Sequence, residues 1–358
     1  MIYLHIPFCK SFCTYCGFYS EIEVPGCYDK YADEVCAEIA SRKNEFKGSL
    51  KTLYCGGGTP SLLPLNSLAK ILLALEAIGQ GGPYEEFTME VNPDDIVEKG
   101  VSYVKGLIGL GVNRISIGVQ SFDDKLLKFM NRRHDAAKAV KAAEIVREAG
   151  ITNLSLDLIF GVGGMTLESW KDTIEKALDL HPEHISCYQL SIDDGSRLAE
   201  MISEGTYTEA SEEDCRAQYD LLCELCREKG YHHYEISNFA LKGKEALHNS
   251  GYWSREPYVG LGPGAHSLCG ATRSWNTQNL VEYGHEEEHL GSEEVRLESI
   301  MLPLRTDKGI AASVLEKECE KGTIERLISE GALELVKGRY RIPEDHFFVS
   351  DEIIRELI

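Results

Sequence analysis

Short apolar runs alternate with segments of helical periodicity along the first half of this chain. The runs are rich in β-branched and aromatic residues and cover residues 2–6, 52–55, 87–91, 114–119, 154–160 and 185–192. Helix-period stretches between them cover residues 28–40, 65–78, 136–148 and 167–180. Strands that are separated by helices pair in parallel, because each helix carries the chain back across the sheet. The sequence therefore predicts an α/β fold with six parallel strands, in which Gly150 and Gly230 end two of the helices.

Unusual polar or glycine-rich segments follow the six predicted strands. The first strand leads into a loop with three cysteines, and the others lead into "GGGTP" at 56–60, "EVNP" at 90–93, "GVQSF" at 118–122, "DLIFG" at 157–161 and "YQLSI" at 188–192. In parallel α/β folds the carboxyl ends of the strands carry the ligands. The sequence therefore predicts a single site at one edge of the sheet.

Cys9, Cys13 and Cys16 lie within eight residues of one another on the loop after the first strand. Three thiolates at these spacings can ligate three irons of a [4Fe–4S] cluster and leave the fourth iron open to another ligand. Structural zinc is the alternative, but it takes four protein ligands. Cys27 is the nearest further cysteine and has no motif spacing. The spacing therefore favours an iron–sulfur cluster.

The other segments of this edge offer groups for a small polar ligand. Glycines at 56–58 let backbone N–H groups approach an anionic or zwitterionic group, although a glycine run is also typical of a plain turn. Glu90, Gln120, Arg132 and Asp157 supply acceptors and donors for a ribose, an amino group and a carboxylate. Each of the four taken singly is also compatible with a solvated residue at a strand end.

Composition limits the classes of partner and the cellular compartment that we expect for this chain. The chain has 358 residues with 37 basic and 58 acidic side chains, and its net charge of -21 repels phosphate backbones and anionic lipids. We therefore expect no nucleic-acid partner, and no segment has the run of about 18 apolar residues that a membrane span needs. Twelve cysteines dispersed through a long chain indicate free thiols or metal ligands in a reducing compartment, here the cytoplasm.

Seven segments together resemble the radical S-adenosylmethionine (SAM) superfamily, in the branch of the oxygen-independent coproporphyrinogen III oxidases. In order they are "HIPFCKSFCTYCGF", "LYCGGGTPSLL", "MEVNP", "RISIGVQSF", "DLIFGV", "EISNFA" and "HNSGYW" followed by "YVGLGPGAHS", over about residues 1–300. The resemblance implies an incomplete (β/α)6 TIM-like radical SAM barrel in residues 1–285, with a cluster on Cys9, Cys13 and Cys16. It also implies that SAM is bound by Tyr3, Tyr15, Gly57, Gly58, Thr59, Glu90, Gln120, Arg132 and Asp157.

Two functions compete within this branch. The oxidases carry a further cysteine where this chain has Phe18, and they have an extension before the first strand. The segment "HNSGYW", with His248, Asn249, Tyr252 and Trp253, resembles instead the heme chaperones of the branch. That resemblance implies a heme-binding extension at about 237–270, delivery of heme to heme-accepting proteins, and a flavodoxin or ferredoxin as reductant. An oxidase-like radical SAM oxidoreductase of porphyrin biosynthesis is the alternative, so it stays open whether the chain is an enzyme.

From the residues alone, a histidine beside a Tyr-Trp pair is also typical of a packed core histidine. The sequence does not decide whether His248 ligates heme iron or orders its loop. One other departure from the family is Gly163, which stands where a proline is usual and predicts a looser loop after the fifth strand.

The last part of the chain predicts a second unit. The acidic run at Glu286–Glu288 is interpreted as a solvated connection. Residues 295–358 then resemble the family's small C-terminal winged-helix-like α+β domain, with a hairpin that turns at Lys337 and Gly338. Cys223 and Cys226 lie in a predicted helix whose core stripe is Cys215, Tyr219, Leu222 and Cys226, which argues against a thiol function there.

Overall fold

The computed structural model describes residues 1–280 and 282–358, and its centre is a nine-stranded sheet. In chain order the first elements are β1 (Ile2–Ile6), β2 (Phe8–Cys9), β3 (Glu21–Ile22), α1 (Cys27–Ser41), β4 (Thr52–Gly57), α2 (Leu65–Ala77), β5 (Glu86–Val91), α3 (Pro93–Gly109), β6 (Arg114–Gln120), α4 (Asp124–Phe129), α5 (Ala136–Ala149), β7 (Leu154–Phe160), α6 (Leu167–Asp179) and β8 (His184–Gln189). Strands β1, β4, β5, β6, β7 and β8 are neighbours in that order and pair in parallel. The predicted six-unit parallel fold is confirmed.

Two helices end at the glycines that the sequence predicts. Gly150 adopts a left-handed conformation with φ 109° and ends α5. Gly230, with φ 82°, follows the last turn of the helix Glu212–Glu228. Both faces of the strands are buried; in β1, for example, Ile2, Leu4 and Ile6 on one face and His5 on the other are all buried. Burial on both faces is expected for parallel strands that helices cover.

The sheet continues beyond the six units but does not close. The next elements are α7 (Arg197–Ser203), α8 (Glu212–Glu228), β9 (His232–Glu235), β10 (Asn238–Ala240), α9 (Leu247–Trp253), β11 (Val259–Leu261), β12 (His266–Cys269), β13 (Thr272–Asn276) and β14 (His285–His289). Strand β11 joins β1 in parallel, whereas β10 and β9 extend the sheet beyond β8 in antiparallel pairs. The sheet therefore begins at β11 and ends at β9, and the barrel is incomplete, as predicted.

Strands β12, β13 and β14 form a separate antiparallel sheet. The acidic run at Glu286–Glu288 lies inside β14, where Glu286 pairs with Trp275 of β13. The interpretation of this run as a connection is therefore wrong, because pairing with β13 makes it a strand. All residues of β14 are exposed, so the run is solvated as expected.

The C-terminal unit contains α10 (Ser292–Leu304), β15 (Ile310–Ala311), α11 (Ala312–Glu318), α12 (Lys321–Ser329), β16 (Glu334–Val336), β17 (Arg339–Arg341) and α13 (Ser350–Leu357). The order of a helix, a strand, two helices and a hairpin is that of a winged helix. The hairpin turns at Lys337 and Gly338, which have φ values of 51° and 78°. The unit contacts the sheet end through backbone hydrogen bonds from Ile236 to Arg305 (3.1 Å) and from Asp307 to Tyr234 (3.0 Å).

Gly163 is held firmly, contrary to the expectation of a looser loop. Its N–H donates to the Tyr207 hydroxyl at 2.6 Å, and a Cβ at this position would lie 2.0 Å from the carbonyl oxygen of Thr208. A proline could not make this hydrogen bond, because it has no N–H. Nowhere in the part of the chain that the structure describes does a helix combine the length and the apolar character needed to cross a membrane.

Candidate cofactor site

The loop with the three cysteines folds over the carboxyl edge of the sheet. Thr14 fixes it there, because its N–H donates to the carbonyl of Met130 (3.2 Å) and its hydroxyl to that of Phe129 (3.2 Å). The N–H of Leu198, at the start of α7, donates to the carbonyl of Thr14 at 2.8 Å. The cysteines are partly exposed and line the mouth of a cavity of about 1040 Å³.

Most of the predicted cofactor residues line this one cavity. Besides the cysteines Cys9, Cys13 and Cys16, the lining includes Tyr15, Gly57, Gly58, Thr59, Glu90, Gln120, Arg132 and Asp157. They come from the carboxyl ends of β4 to β7 and from the loops beyond, as the parallel topology requires. Tyr3 is placed differently, since its hydroxyl lies 3.0 Å from Nδ1 of His5, inside the barrel.

Arg132 connects the cysteine loop to β6. Its Nη1 donates to Sγ of Cys13 at 3.3 Å and its Nη2 to the carbonyl of Gly118 at 2.6 Å. Its Nε is buried and has no protein partner. Burial opposes the charged guanidinium, but Tyr15 and Cys13 outweigh burial and raise the pKa of Arg132 above its ordinary value. A permanent cation beside the cysteines favours their thiolate forms, which bind metal.

The thiols nevertheless need a metal to lose their protons. Burial raises the pKa of Cys9, and it raises that of Cys16 to about 11, with the neighbouring thiols adding to the shift. Both groups are therefore protonated near neutral pH when no metal is bound. Metal binding would release these protons, so that formation of a cluster is favoured by higher pH.

Two half-buried carboxyl groups, those of Glu90 and Asp157, line the cavity. The Tyr54 hydroxyl donates to Oε1 of Glu90 at 2.6 Å, and the Ser116 hydroxyl donates to Oδ1 of Asp157 at 2.8 Å. Burial raises the pKa of Glu90 to about 7, and the charge of Asp157 adds to this shift. Burial also raises the pKa of Asp157. Such a pair fits hydroxyl or ammonium groups of a ligand, which donate hydrogen bonds to it.

The glycine run at 56–58 lets β4 approach the cysteine loop closely. Gly57 has φ 115°, and a Cβ on Gly58 would lie 2.8 Å from the carbonyl oxygen of Phe8. The N–H of Gly58 donates to the carbonyl of Ile6 at 2.9 Å. The run therefore ends a strand rather than forming a plain turn, and Thr59 after it brings its hydroxyl to 3.6 Å from Sγ of Cys9.

Gln120 ends β6 in a left-handed conformation, with φ 66°, where the pairing with β7 is irregular. This conformation costs a non-glycine residue roughly 1–3 kcal/mol, and such strain is concentrated at functional sites. Tyr54 and Asn92 are among the lining residues that sequence reasoning missed. The period of two puts Tyr54 on the same face as Gly56, and Asn92 lies in "EVNP" with a buried Oδ1 that has no protein partner.

The predicted heme motif lies at the opposite end of the sheet. The carboxylate of Glu86, the first residue of β5, accepts the N–H groups of Leu247 (2.7 Å) and His248 (3.2 Å) at the start of α9. The opposite ends of β4, Thr52 and Gly57, are about 17 Å apart at the usual rise per residue. The structure therefore separates His248, Asn249, Tyr252 and Trp253 from the cysteine cavity.

His248 uses both of its ring nitrogens inside the protein. Nδ1 lies 2.8 Å from the Thr52 hydroxyl and Nε2 lies 2.9 Å from the Tyr252 hydroxyl, and the residue is 0% exposed. Burial, reinforced by the positive charges of the N-terminus and Arg114, lowers the pKa of His248 to about 3. The neutral ring orders α9.

A second cavity, of about 860 Å³, lies beside α9. Of the four predicted heme-binding residues Trp253 lines this cavity, together with Tyr258 and Leu268. The Tyr252 ring packs on Tyr258 edge to face, with centroids 4.8 Å apart. His285 of β14 also lines this cavity, and its Nδ1 lies 2.9 Å from Oδ1 of Asn276.

Comparison with known proteins agrees with this architecture. The model of the Radical SAM superfamily matches residues 3–177. Coproporphyrinogen III oxidase (HemN) from Escherichia coli, a radical SAM enzyme, superposes with a TM-score of 0.83 over 99% of this chain and 89% of that chain, at 20% sequence identity. This likeness shows the fold alone. The fold is thus that of a radical SAM protein.

Sequence relatives define the family more narrowly. A heme chaperone HemW from Lactococcus lactis is 33% identical over 345 residues, which cover 94% of this chain and 89% of the relative. A heme chaperone HemW from Bacillus subtilis is 35% identical over 283 residues, covering 78% and 74% respectively. The chain therefore belongs to the HemW family of radical SAM proteins.

Proposed function

We propose that this chain is a heme chaperone that holds a [4Fe–4S] cluster and SAM in the cysteine cavity and heme in the cavity beside α9. Membership of the HemW family supports the proposal, and the convergence of three cysteines, Arg132 and two half-buried carboxyl groups on one edge carries it. Heme is the cargo, which passes to acceptor proteins.

The residues of the first cavity fit a cluster with one open iron. Cys9, Cys13 and Cys16 are its thiol ligands, and among the described lining residues there is no fourth cysteine and no histidine. A closed zinc site would need that fourth ligand. Held by these three thiols, a reduced cluster would supply the single electron for cleavage of SAM.

The remaining lining residues fit SAM by their chemistry. Glu90, Asp157 and the unpartnered Oδ1 of Asn92 offer acceptors for hydroxyl and amino groups. Arg132, Thr59 and the side-chain amide of Gln120 offer donors to its carboxylate and ribose oxygens. Their place at the ends of a rigid sheet keeps these groups in position and limits the access of water.

The cavity beside α9 is the place we propose for heme. Its volume of about 860 Å³ falls in the ~300–1,000 Å³ range of cofactor sites, and the Trp253 and Tyr258 rings can cover an apolar macrocycle. His285 is the histidine that lines it. Because the two ring nitrogens of His248 are already hydrogen-bonded, we propose that His248 positions α9 and that His285 supplies the imidazole for the iron.

An anaerobic hemin titration of cluster-reconstituted protein, followed by Soret absorbance, tests this assignment. Wild type should saturate near one hemin per chain, and Trp253→Ala should lose saturation. Trp275→Ala is the matched control, because Trp275 lies on the neighbouring sheet and stacks on His266 outside the lining. Equal binding by wild type and Trp253→Ala would refute the heme site.

Two further variants separate ligation from positioning. His285→Ala should shift the Soret band while the chain still binds hemin, because the iron loses its imidazole. His248→Ala should weaken binding without changing the spectrum of the hemin that is bound. The reverse pattern would assign the ligand to His248.

The proposal also covers the heme-accepting proteins, the electron donor and the cytosol as the compartment of action. Delivery is tested by mixing heme-loaded protein with an apo-acceptor and following the acceptor's heme spectrum. The reductant that we propose is a flavodoxin or ferredoxin, because such carriers supply single electrons at low potential. The twelve cysteines are all free, which supports action in the reducing cytosol.

A further inference from the structure

Three side chains of ligand type meet where the C-terminal unit contacts the sheet, and none of the three lines either cavity. They are Cys223 of α8, His233 of β9 and Glu344, which precedes α13. Their ligand atoms all lie within 4.8 Å of one another. Sγ of Cys223 is 3.8 Å from Nδ1 of His233, and a carboxylate oxygen of Glu344 is 3.6 Å from the same nitrogen. Over residues 1–280 and 282–358 this is the one group of its kind.

The hydrogen bonds of His233 leave Nδ1 free to act as a ligand. The Tyr219 hydroxyl donates its single proton to the carbonyl of Ile236 at 2.8 Å. Its oxygen lies 3.2 Å from Nε2 of His233 and can only accept there. In a neutral ring the proton is therefore on Nε2, and the lone pair of Nδ1 faces Cys223 and Glu344. Metal-binding histidines are oriented in this way by a partner on the other ring nitrogen.

Packing fixes the ring in this orientation. The Phe239 ring stacks on His233 with centroids 4.1 Å apart and planes at 16°, and Phe347 contacts it edge to face at 5.0 Å. Cys223 and His233 are buried, whereas Glu344 is partly exposed. An ion could therefore enter from the Glu344 side without opening the core.

We propose that Cys223, His233 and Glu344 bind a divalent transition metal, zinc being the best match, with water as the fourth ligand. Thiolate, imidazole and carboxylate are its usual donors. Zinc bond lengths and tetrahedral angles place ligand atoms roughly 3.3–3.6 Å apart, so small shifts suffice. Binding forms the metal–sulfur bond as the Cys223 thiol loses its proton to solvent, and no electron is transferred. The two anionic ligands neutralise the dication.

Such a metal would tie the C-terminal unit to the barrel, because Glu344 belongs to the former, whereas His233 lies in β9 and Cys223 in α8. Arg227 opposes binding, since its guanidinium pairs with the Glu344 carboxylate at 3.0 Å. The alternative to a metal is an ion pair between a protonated His233 and Glu344. The inference does not depend on the proposed heme function and is tested separately.

A Co²⁺ titration of cluster-reconstituted protein tests the site, since the cluster already occupies the other clustered thiols. We expect saturation near one Co²⁺ per chain, with sulfur charge-transfer and tetrahedral ligand-field absorption that Zn²⁺ abolishes. Cys223→Ser should remove the sulfur band. Glu344→Gln, a change at a partly exposed position, should bind Co²⁺ at least about tenfold more weakly than wild type. Tyr219→Phe should lower the affinity for Co²⁺ by about 10–100-fold.

Two variants serve as matched controls. Cys226→Ser changes the next cysteine of the same helix, which is outside the group, and should keep wild-type binding. Arg227→Gln should bind Co²⁺ more tightly, because it frees the carboxylate. Absence of Co²⁺ binding beyond the cluster, or equal binding by wild type and Glu344→Gln, would overturn the proposal and leave the ion pair.

Discussion

The ring of Tyr54 stacks on the imidazole of His248, with centroids 5.2 Å apart and planes at 29°. The hydroxyl of the same tyrosine donates to Glu90 at 2.6 Å. A single side chain thus contacts both the lining of the cysteine cavity and the histidine that orders α9. The two ends of the barrel are in contact through its interior.

Tyr54→Phe keeps the stacked ring and removes only the hydroxyl. We expect SAM to bind about tenfold or more weakly, because a buried hydrogen bond to a charged group contributes roughly 1.5–3 kcal/mol. Equilibrium dialysis with the cluster-loaded protein measures the dissociation constant. Tyr84→Phe, whose hydroxyl bonds to the Gln80 carbonyl outside the site, should leave it unchanged. An unchanged constant in Tyr54→Phe would separate Glu90 from SAM binding.

SAM binding should strengthen as pH rises through about 7. Burial raises the pKa of Glu90 to about 7, so the ionised carboxylate predominates only above that pH. Below it, affinity should fall by up to about tenfold per pH unit, as expected for one linked proton. Glu90→Gln should remove this dependence. A flat profile in wild type would show that SAM does not require the ionised form.

His248→Ala should lower the free energy of unfolding by about 2–4 kcal/mol near neutral pH, because it removes a buried ring and two hydrogen bonds. Urea unfolding followed by circular dichroism measures this loss, with Asn249→Ala as the neighbouring control. Burial lowers the pKa of His248 from 6.5 to about 3. The unfolded chain therefore binds a proton between these values that the folded chain does not.

The stabilisation by His248 is thus present above pH 6.5 and is lost as pH falls, by about 1.4 kcal/mol per unit. The difference between wild type and His248→Ala should narrow near pH 5. A constant difference would mean that the ring titrates normally and is not held neutral.

Gly58→Ala should disturb the cysteine loop, since its Cβ would lie 2.8 Å from the carbonyl oxygen of Phe8. We expect a loss of about 1–3 kcal/mol in stability and a lower iron content after reconstitution. Gly109→Ala is the matched control, because nothing lies within 4 Å of its added Cβ. Normal iron content in Gly58→Ala would show that the loop binds the cluster without this contact.

Coproporphyrinogen III should not be converted to protoporphyrinogen under anaerobic, reducing conditions. Phe18 stands where the oxidases carry an additional cysteine, and its side chain lines the cavity mouth and is 73% exposed. Chromatography of the oxidised porphyrins, with an oxidase assayed in parallel, measures turnover. Sustained conversion would make the chain an oxidase instead.

The parallel fold and the cysteine cavity could be predicted because their signals are local. Apolar runs rich in β-branched residues, glycine at helix ends and polar residues after strands lie within a few positions of one another in the chain. The polar residues after the strands therefore predict that Glu90 and Asp157 belong to a single site.

The position of α9 could not be predicted in this way. It depends on the hydrogen bond between Glu86 and Leu247, which are 161 residues apart. The contact between His233 and Glu344 likewise joins residues that are distant in the chain, so no local spacing in the sequence predicts it. The run at Glu286–Glu288 has the composition of a loop, and only its pairing with β13 makes it a strand.

Strand β14 is the outer strand of its sheet, so one row of its backbone N–H and C=O groups has no neighbouring strand. Such a row invites pairing with another chain. Glu286, Glu287 and Glu288 would place like charges opposite each other if two copies approached along this strand. Charge repulsion between these side chains would therefore oppose self-association along this edge.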